Sequence, residues 1–271
     1  MKNTLKILFF GDINGEIGRK AIASALPKLK KKFKPDVIIA NAENLAHGLG
    51  ITEKTINEML EVGINYFTSG NHIFDKVAAE AILNQHNCPI IRPANYLGDV
   101  AGSGEKIIDI GQNRLLMINL MGRVFIEEKF NNPFTTADKI LGQYKNEKLN
   151  GIIVDFHAEA TSEKIAMKHY LDGRVSAIWG THTHVATADE QISKQGTAYI
   201  TDVGMVGLAD GVIGVDRDNV IKNFLSDEDV TEGFVMKTKG TAQINAIYLE
   251  INPQTQKAEK INQLYFFLTI E

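Results

Sequence analysis

The feature that most constrains the fold is an alternation of short apolar runs with segments of helical periodicity through the first two-thirds of the chain. Residues 5–10 form an apolar run, and apolar residues between Ile17 and Phe33 then recur at helical spacing. Further apolar runs predict strands at 37–40, 64–68, 151–156 and 175–179. Helical patterns fall around residues 56–60, 76–83 and 163–171, and Asp75 is the expected N-cap of the second. Such alternation is typical of an α/β protein whose sheets are covered by helices.

The remaining segments have a different pattern. Stretches rich in β-forming residues lie close together at 106–119, 188–201 and 243–268, and we expect hairpins there. No Pro/Gly/Ser-rich linker marks a boundary between domains. The sequence therefore predicts one domain over residues 1–271, built from mixed sheets.

Composition excludes several classes of protein. The 271 residues are 44% apolar and 23% charged, which is ordinary globular usage and rules out a disordered chain. A net charge of −4 argues against dedicated nucleic-acid binding, because phosphate contacts need a basic face. Cys88 is the only cysteine, so no disulfide can form within the chain. No apolar window approaches the roughly 18 residues that would span a membrane, and we expect a cytoplasmic protein.

Polar side chains follow five of the predicted strands at the point where each strand ends. The residues there that could carry chemistry are Asp12, Glu43, Asn44, Asn71, His72, His157, His182 and His184. Because sites in open α/β sheets form beyond the carboxyl ends of the strands, we expect these side chains to converge. On extended backbone, the spacing of two would place the imidazoles of His182 and His184 on one side.

Each cluster taken alone has a simpler explanation. Asp12 could cap the helix that follows, Glu43 and Asn44 could belong to a turn, and Asn71 is a common turn former beside a glycine. Together they indicate a metal centre, because carboxylate, amide and imidazole groups are ligands of hard and borderline divalent ions. The sequence contains no P-loop, dinucleotide-binding loop or serine elbow that would indicate another chemistry.

The order of these motifs resembles the calcineurin-like metallophosphoesterases. It runs Gly11-Asp12, Glu43-Asn44, Gly70-Asn71-His72, His157 and Gly180-Thr181-His182-Thr183-His184. The family commonly has a histidine where Asn14 stands and a bridging aspartate where Glu43 stands. Both departures resemble a bacterial subfamily of YmdB-like phosphodiesterases that act on cyclic nucleotides, notably 2′,3′-cyclic AMP. The resemblance implies an α/β (α+β) four-layer sandwich of two mixed β-sheets flanked by helices, with two metal ions per chain.

The resemblance also implies which residues bind each ion. Metal one would take Asp12, Glu43, Asn44 and His184, and metal two would take Glu43, Asn71, His157 and His182. Glu43 would therefore bridge the two ions. Asn44 would replace the histidine missing at position 14, and Asn14 itself is expected to cap the helix or to support the ligands. Such ligands accept iron, manganese or zinc, and the resemblance favours iron or manganese.

The implied reaction is hydrolysis of a small phosphodiester or cyclic nucleotide by metal-activated hydroxide. Two divalent ions beside Asp12 and Glu43 would leave about two positive charges, enough to attract a phosphodiester anion. His72 directly follows a ligand and is the candidate general acid for the leaving alkoxide. Arg123 and His47 are weaker candidates for substrate contact.

Two other functions fit the same residues. A phosphomonoesterase or protein phosphatase could use the same metal centre, and a nucleotide-sensing regulatory protein could bind the ligand with little turnover. The sequence leaves the physiological substrate open, and it does not decide whether the chain forms a homo-oligomer.

Overall fold

The computed structural model describes residues 4–226 and 235–271. Its strands are β1 (Leu5–Ile13), β2 (Val37–Asn41), β3 (Tyr66–Thr68), β4 (Glu105–Ile110), β5 (Asn113–Met121), β6 (Gly151–His157), β7 (Ala177–Thr181), β8 (Gln191–Ile192), β9 (Ala198–Ile200), β10 (Met205–Leu208), β11 (Gly211–Val212), β12 (Val215–Asp216), β13 (Gly240–Ile251) and β14 (Ala258–Ile270). Its α-helices are α1 (Gly15–Phe33), α2 (Glu53–Val62), α3 (Ala79–Leu83), α4 (Pro133–Gln143), α5 (Thr161–Leu171) and α6 (Arg217–Phe224). A short 3-10 helix, Asn71–Phe74, follows β3.

Two six-stranded mixed sheets form the centre of the molecule. The first sheet has the order β14-β13-β10-β1-β2-β3, and its long strand β13 also pairs antiparallel with β1. The second sheet has the order β4-β5-β6-β7-β9-β8. Strands β1, β2, β3 and β10 are mutually parallel, as are β5, β6, β7 and β9. Each sheet thus has a parallel centre whose strands end at one edge.

The sheets pack face to face, and helices cover their outer faces. Alternate residues of β1 point to opposite faces of the first sheet. Phe9 packs between the sheets against Trp179, with ring centroids 4.5 Å apart, whereas Phe10 faces the helices. Helices α1, α2 and α3 cover the first sheet, and α4 and α5 cover the second. The order is helices, sheet, sheet, helices. Because both faces of the central strands are buried, these strands have continuous apolar runs rather than alternating ones.

Most of the predicted elements are confirmed with small changes of boundary. The three β-rich segments form antiparallel pairs, β4 with β5, β8 with β9 and β13 with β14. The prediction that Asp75 caps a helix is wrong. Helix α3 begins only at Ala79, and the Asp75 carboxylate instead contacts the imidazole of His72 at 2.8 Å.

Helices α4 and α6 had not been predicted. The start of α4 does carry a sequence signal, because Asn132 caps the helix and Pro133 occupies its first turn. Across residues 4–226 and 235–271, no helix combines the length and the apolar character that crossing a bilayer requires.

Candidate metal centre

The first sheet supplies the carboxylates and amides of the site. Asp12 lies near the end of β1, Glu43 and Asn44 follow β2, and Asn71 opens the 3-10 helix after β3. The end of β1 lies against the chain at Gly204, where the Asp12 amide donates to the carbonyl oxygen at 3.2 Å. A Cβ on Gly11 would lie 1.7 Å from that same oxygen, so only glycine permits this approach.

The second sheet supplies the imidazoles. His157 is the last residue of β6, and His182 and His184 follow β7. The expectation of extended backbone at these two histidines is wrong, because their φ angles are +102° and +64°. Positive φ is uncommon for side chains other than glycine, and it occurs most often where a site requires it. The irregular backbone nevertheless turns both imidazoles toward the carboxylates.

These residues form two groups of ligand atoms that share one glutamate. The first donor group is Asp12, Glu43 and His184, and the second donor group is Glu43, His157 and His182. Within each group, one ligand atom from every residue lies within 4.8 Å of the others. The side chains of Asp12, Glu43 and His157 are almost wholly buried. The structure therefore gathers the expected carboxylate and imidazole ligands at one seam between the sheets.

Short contacts hold each donor group together around the shared Glu43. His157 Nε2 lies 3.1 Å from Glu43 Oε2 and 3.0 Å from His182 Nδ1. Asn44 Nδ2 lies 3.0 Å from both Glu43 Oε1 and His184 Nε2. The amide of Asn44 thus sits among the atoms of the first donor group. If the side-chain amide were rotated by half a turn, its oxygen would face Glu43 and His184 in place of its nitrogen.

Three observations test whether cations fit this site. Asp12 Oδ1 and Asn71 Oδ1 are buried and have no hydrogen-bond partner among the described residues. A Cβ on Gly70 would lie 2.1 Å from Glu43 Oε2 and 2.3 Å from His157 Nε2, so the glycine keeps the space beside these ligand atoms free. The donors are oxygen and imidazole nitrogen, the types that iron, manganese and zinc accept. The residues present fit a pair of divalent cations.

The electrostatics of the site show how strongly its carboxylates favour positive charge. Burial alone would lower the pKa of His157, but the Glu43 carboxylate beside it raises that pKa to about 9. Burial raises the pKa of Asp12. At Glu43 burial acts in the same direction, but His157, together with His72 and His182, outweighs it and lowers the pKa of this carboxyl. Burial and the neighbouring His157 lower the pKa of His182 to about 3. A site of this kind is stabilised by any cation that sits between its carboxylates.

A buried hydrogen-bond chain orients His157. Its Nδ1 lies 2.8 Å from Thr181 Oγ1, and the Thr181 hydroxyl donates to Asp155 Oδ1 at 2.7 Å. The hydroxyl of Thr68 also donates to the Asp155 carboxylate. Burial raises the pKa of Asp155 to about 7. Because the chain engages Nδ1, it leaves Nε2 directed at Glu43, the arrangement by which supporting residues orient metal-binding imidazoles.

A buried ion pair supports the segment that carries His182 and His184. Lys164 on α5 donates to Asp202 Oδ2 at 2.6 Å and to the Thr181 carbonyl oxygen at 2.9 Å. Asp202 in turn accepts from the Thr183 hydroxyl at 2.8 Å. Sequence reasoning missed Lys164 and Asp155, and it assigned no role to Asp202, which lies in the segment Thr201-Asp202-Val203-Gly204-Met205 that also resembles the subfamily. The signal of Lys164 and Asp155 is a charge inside an otherwise apolar segment.

His72 lies at the mouth of the second donor group. Its backbone amide donates to Glu43 Oε2 at 3.4 Å, and its Nδ1 lies 2.8 Å from Asp75 Oδ2. About a third of the side chain is exposed. Donation from Nδ1 to Asp75 leaves Nε2 available toward a ligand, with Asn71 Nδ2 3.4 Å from it.

The remaining candidates lie outside these contacts. His47 and Arg123 are exposed, and in the described part of the chain neither side chain hydrogen-bonds to a residue of either donor group. The backbone amide of Arg123 donates to the Glu163 carboxylate at 3.0 Å. Asn14 occupies the N-cap position of α1 but makes no side-chain capping bond, so the capping alternative is wrong. Its amide donates to the carbonyl oxygen of Ile213 at 3.2 Å, and His184 Nδ1 lies 2.8 Å from the same oxygen, which agrees with the alternative that Asn14 supports a ligand.

Comparison with known proteins places the chain in a family. Residues 8–264 match the family described as YmdB-like protein. The chain belongs to this family. It is 41% identical to the 2′,3′-cyclic-nucleotide 2′-phosphodiesterase of Bacillus subtilis (strain 168) over 261 residues, which cover 96% of each protein.

Solved structures of relatives have the same architecture. A crystal structure described as a novel phosphatase from Mycoplasma pneumoniae is 35% identical, with a TM-score of 0.91 over 100% of this chain and 96% of the other. A protein from Thermus thermophilus is also 35% identical, with a TM-score of 0.88 over 97% and 99% of the two chains. The fold is that of the calcineurin-like metallophosphoesterases, and the chain of this YmdB-like protein is an enzyme that hydrolyses phosphoesters.

Proposed function

We propose that this enzyme is a dinuclear-metal phosphodiesterase for small cyclic nucleotides such as 2′,3′-cyclic AMP. The observation that carries the proposal is the pair of donor groups that share Glu43. Each group would hold one cation, with Glu43 available to both, and hydrolysis with two metals uses such a pair of cations. The name of the B. subtilis relative supports the substrate class.

The proposed ligand sets follow the geometry. Asp12, Glu43, Asn44 and His184 would hold one cation, and Glu43, Asn71, His157 and His182 would hold the other. Iron or manganese is the expected metal, with zinc as the alternative. When bound, the cations supply Lewis-acid charge that polarises the phosphoryl group and makes a water a better nucleophile.

The buried carboxylates determine the charge that a substrate meets. Asp12 and Glu43 are the two acidic members of the donor groups. They neutralise about half of the charge of two divalent cations, so the site attracts a phosphodiester anion although the chain has a net charge of −4. The imidazole and amide ligands add no negative charge, which keeps this attraction intact.

We assign the proton-donating step to His72. Its backbone amide donates to Glu43 Oε2 and its Nδ1 contacts Asp75, so the ring is held beside the donor groups, with Nε2 3.4 Å from Asn71 Nδ2. Nε2 would give a proton to the departing sugar oxygen, a contribution typically worth about 10²–10⁴-fold. Asp75 would keep the ring in the orientation that this transfer needs.

The alternative is a phosphomonoesterase or protein phosphatase, and the description of the M. pneumoniae relative as a phosphatase favours it. Turnover of 2′,3′-cyclic AMP, 3′,5′-cyclic AMP and a phosphopeptide by the metal-loaded enzyme separates the two activities. The proposal requires preference for a cyclic diester; preference for the phosphopeptide would replace it with the alternative. Metal-loaded enzyme without turnover on any of them would favour a nucleotide-sensing protein.

The role of His72 is tested by changing the leaving group. His72→Ala should keep its metal and lose about 10²-fold or more on an alkyl diester, but much less on an aryl diester whose leaving group hardly needs a proton. His86→Ala is the matched control, since His86 is exposed outside the site. Equal losses on the two diesters would remove His72 from the proton-donating role.

We also propose that residues 1–271 act as a single metallophosphoesterase domain. A cytoplasmic location, with neither a membrane nor a nucleic acid as partner, remains our prediction. Cell fractionation and sedimentation of the purified protein would test the location and the oligomeric state.

A further inference from the structure

A cavity of about 390 Å³ opens beside the first donor group. Three parts of the chain enclose it: the segment 184–188, the β11–β12 hairpin, and a face of the first sheet formed by β13 and β14. The lining residues that the argument uses are His184, Ile213, Gln243, Asn245, Gln263 and Tyr265. We call this space the His184 cavity.

The His184 cavity is joined directly to the metal centre. His184 belongs to the first donor group and also lines the cavity. Its Nδ1 lies 2.8 Å from the carbonyl oxygen of Ile213, at the turn of the β11–β12 hairpin. A molecule whose phosphate reached the donor groups could therefore place its remaining part in this space.

The floor of the cavity is a sheet face that the second sheet does not cover. Asn245 and Ile247 are two residues apart on β13 and so point to the same face, and Ile247 is buried between the sheets. Asn245 pairs with Tyr265 of β14, whose side chain is 56% exposed. The face that forms the core between the sheets thus continues past the second sheet as a floor with one accessible aromatic ring.

The polar groups of the floor include an unsatisfied acceptor. Asn245 is 1% exposed, and its Nδ2 donates to the backbone oxygen of Met205 at 2.7 Å. Its Oδ1 is buried and has no hydrogen-bond partner among the described residues. Buried acceptors usually have a partner, so this oxygen calls for an N–H donor from a ligand. The amides of Gln243 and Gln263 line the same space.

We infer that the His184 cavity binds the nucleobase of the substrate. A planar aromatic ring with N–H donors on its edge matches the accessible Tyr265, the amides of Gln243 and Gln263, and the unpaired Asn245 Oδ1. The apolar Ile213 and Met205 complete the wall. The inference rests on the proposed cyclic-nucleotide activity for its substrate, and it makes Tyr265 and Gln243 determinants of specificity.

The experiment compares a substrate that has a base with one that lacks it. KM and kcat are measured on the metal-loaded enzyme with 2′,3′-cyclic AMP and with ribose 2′,3′-cyclic phosphate, which keeps the cyclic diester and has no base. Tyr265→Ala should raise KM for 2′,3′-cyclic AMP about tenfold more than KM for the diester without a base, a difference that corresponds to ~1.4 kcal/mol. Gln243→Ala should give a differential increase of about threefold.

Two matched variants separate stacking from the general loss of an exposed aromatic ring. Tyr265→Phe keeps the ring and should retain most of the affinity. Tyr170→Ala removes an exposed tyrosine on α5, outside the lining of the cavity, and should leave KM for both substrates unchanged. Equal effects of Tyr265→Ala on both substrates, or an equal differential effect from Tyr170→Ala, would overturn the inference.

Binding of adenosine makes the result independent of turnover. Adenosine should bind the wild-type chain, measured by magnetic resonance titration, and bind Tyr265→Ala about tenfold more weakly. Failure of the wild-type enzyme to hydrolyse either diester would refute the proposed activity. The adenosine titration would still test whether the His184 cavity binds the base. Hydrolysis of 2′,3′-cyclic AMP together with identical adenosine affinities for the two chains would refute the site alone.

Discussion

The two sheets contribute different halves of the candidate metal centre. The first sheet provides the oxygen donors Asp12 and Glu43, and the second provides the nitrogen donors His157, His182 and His184. Their supports differ as well. Asp12 is positioned by the close backbone contact at Gly11, whereas the histidines are positioned by buried polar side chains.

This difference shows how a fold can assemble a site at a seam. Asp12 lies within a buried strand, which by itself largely determines where the carboxylate points. The imidazole of His157 depends on Thr181 and Asp155 behind it, and His182 and His184 stand on irregular backbone, so the orientation of the imidazoles requires hydrogen bonds from supporting residues. The oxygen half of the centre should therefore depend on single ligands, and the nitrogen half on a network.

The largest effect should come from the one ligand that both groups share. Glu43→Gln removes a negative charge from each donor group, so we expect loss of both cations and an activity lower by on the order of 10³-fold or more. Elemental analysis of the purified protein measures the cations per chain. Glu53→Gln, at an exposed glutamate of α2, is the control. Retention of two cations by Glu43→Gln would mean that the halves are not joined through this residue.

A smaller effect should come from the network behind the histidines. Lys164→Met leaves the Asp202 carboxylate buried without its cation, which should lower the free energy of unfolding by about 3–5 kcal/mol. Urea unfolding measures this loss. Lys168→Met, one turn further along α5, is the control, because the Lys168 ammonium donates to Gln191 in an exposed contact.

A double variant tests whether the effect belongs to the ion pair. Adding Asp202→Asn to Lys164→Met removes the uncompensated charge, so most of the lost stability should return. A loss of less than about 1 kcal/mol in the single variant would contradict the view that this pair supports the nitrogen half.

The smallest effect should come from Asp75, which lies at the exposed side of the residues that the first sheet supplies. Asp75→Asn weakens the contact that orients His72, but about a third of each side chain is exposed, so solvent screens the pair. We expect kcat on an alkyl diester to fall about two- to fivefold with unchanged metal content. A fall as large as that of His72→Ala would show that Asp75 does more than position the ring.

The parts of the structure that the sequence predicts are those with local signals. The parallel strands were predicted because residues buried on both faces leave continuous apolar runs, and the polar residues that follow them are visible in the same way. The gathering of Asp12, Glu43 and the histidines follows from the rule that such strand ends meet at one edge.

The supports escaped prediction because they depend on contacts between distant residues. Thr68 and Asp155, which are 87 residues apart in the chain, meet beside His157 only after both sheets have formed. A single threonine in a strand gives no indication in the sequence that it will contact Asp155. The positive φ angles of His182 and His184 are equally invisible in the sequence, since the usual glycine or asparagine is missing at both positions.

The absence of a side chain at Gly70 has a practical consequence. A methyl group added at this position would overlap Glu43 and His157, because its carbon would lie 2.1 Å from Glu43 Oε2 and 2.3 Å from His157 Nε2. The added carbon atom would thus fill the space that the cations need, while all the ligand residues remain in the chain. Gly70→Ala offers a full-length, catalytically silent version of the protein, suited to separating what cells require of its presence from what they require of its turnover.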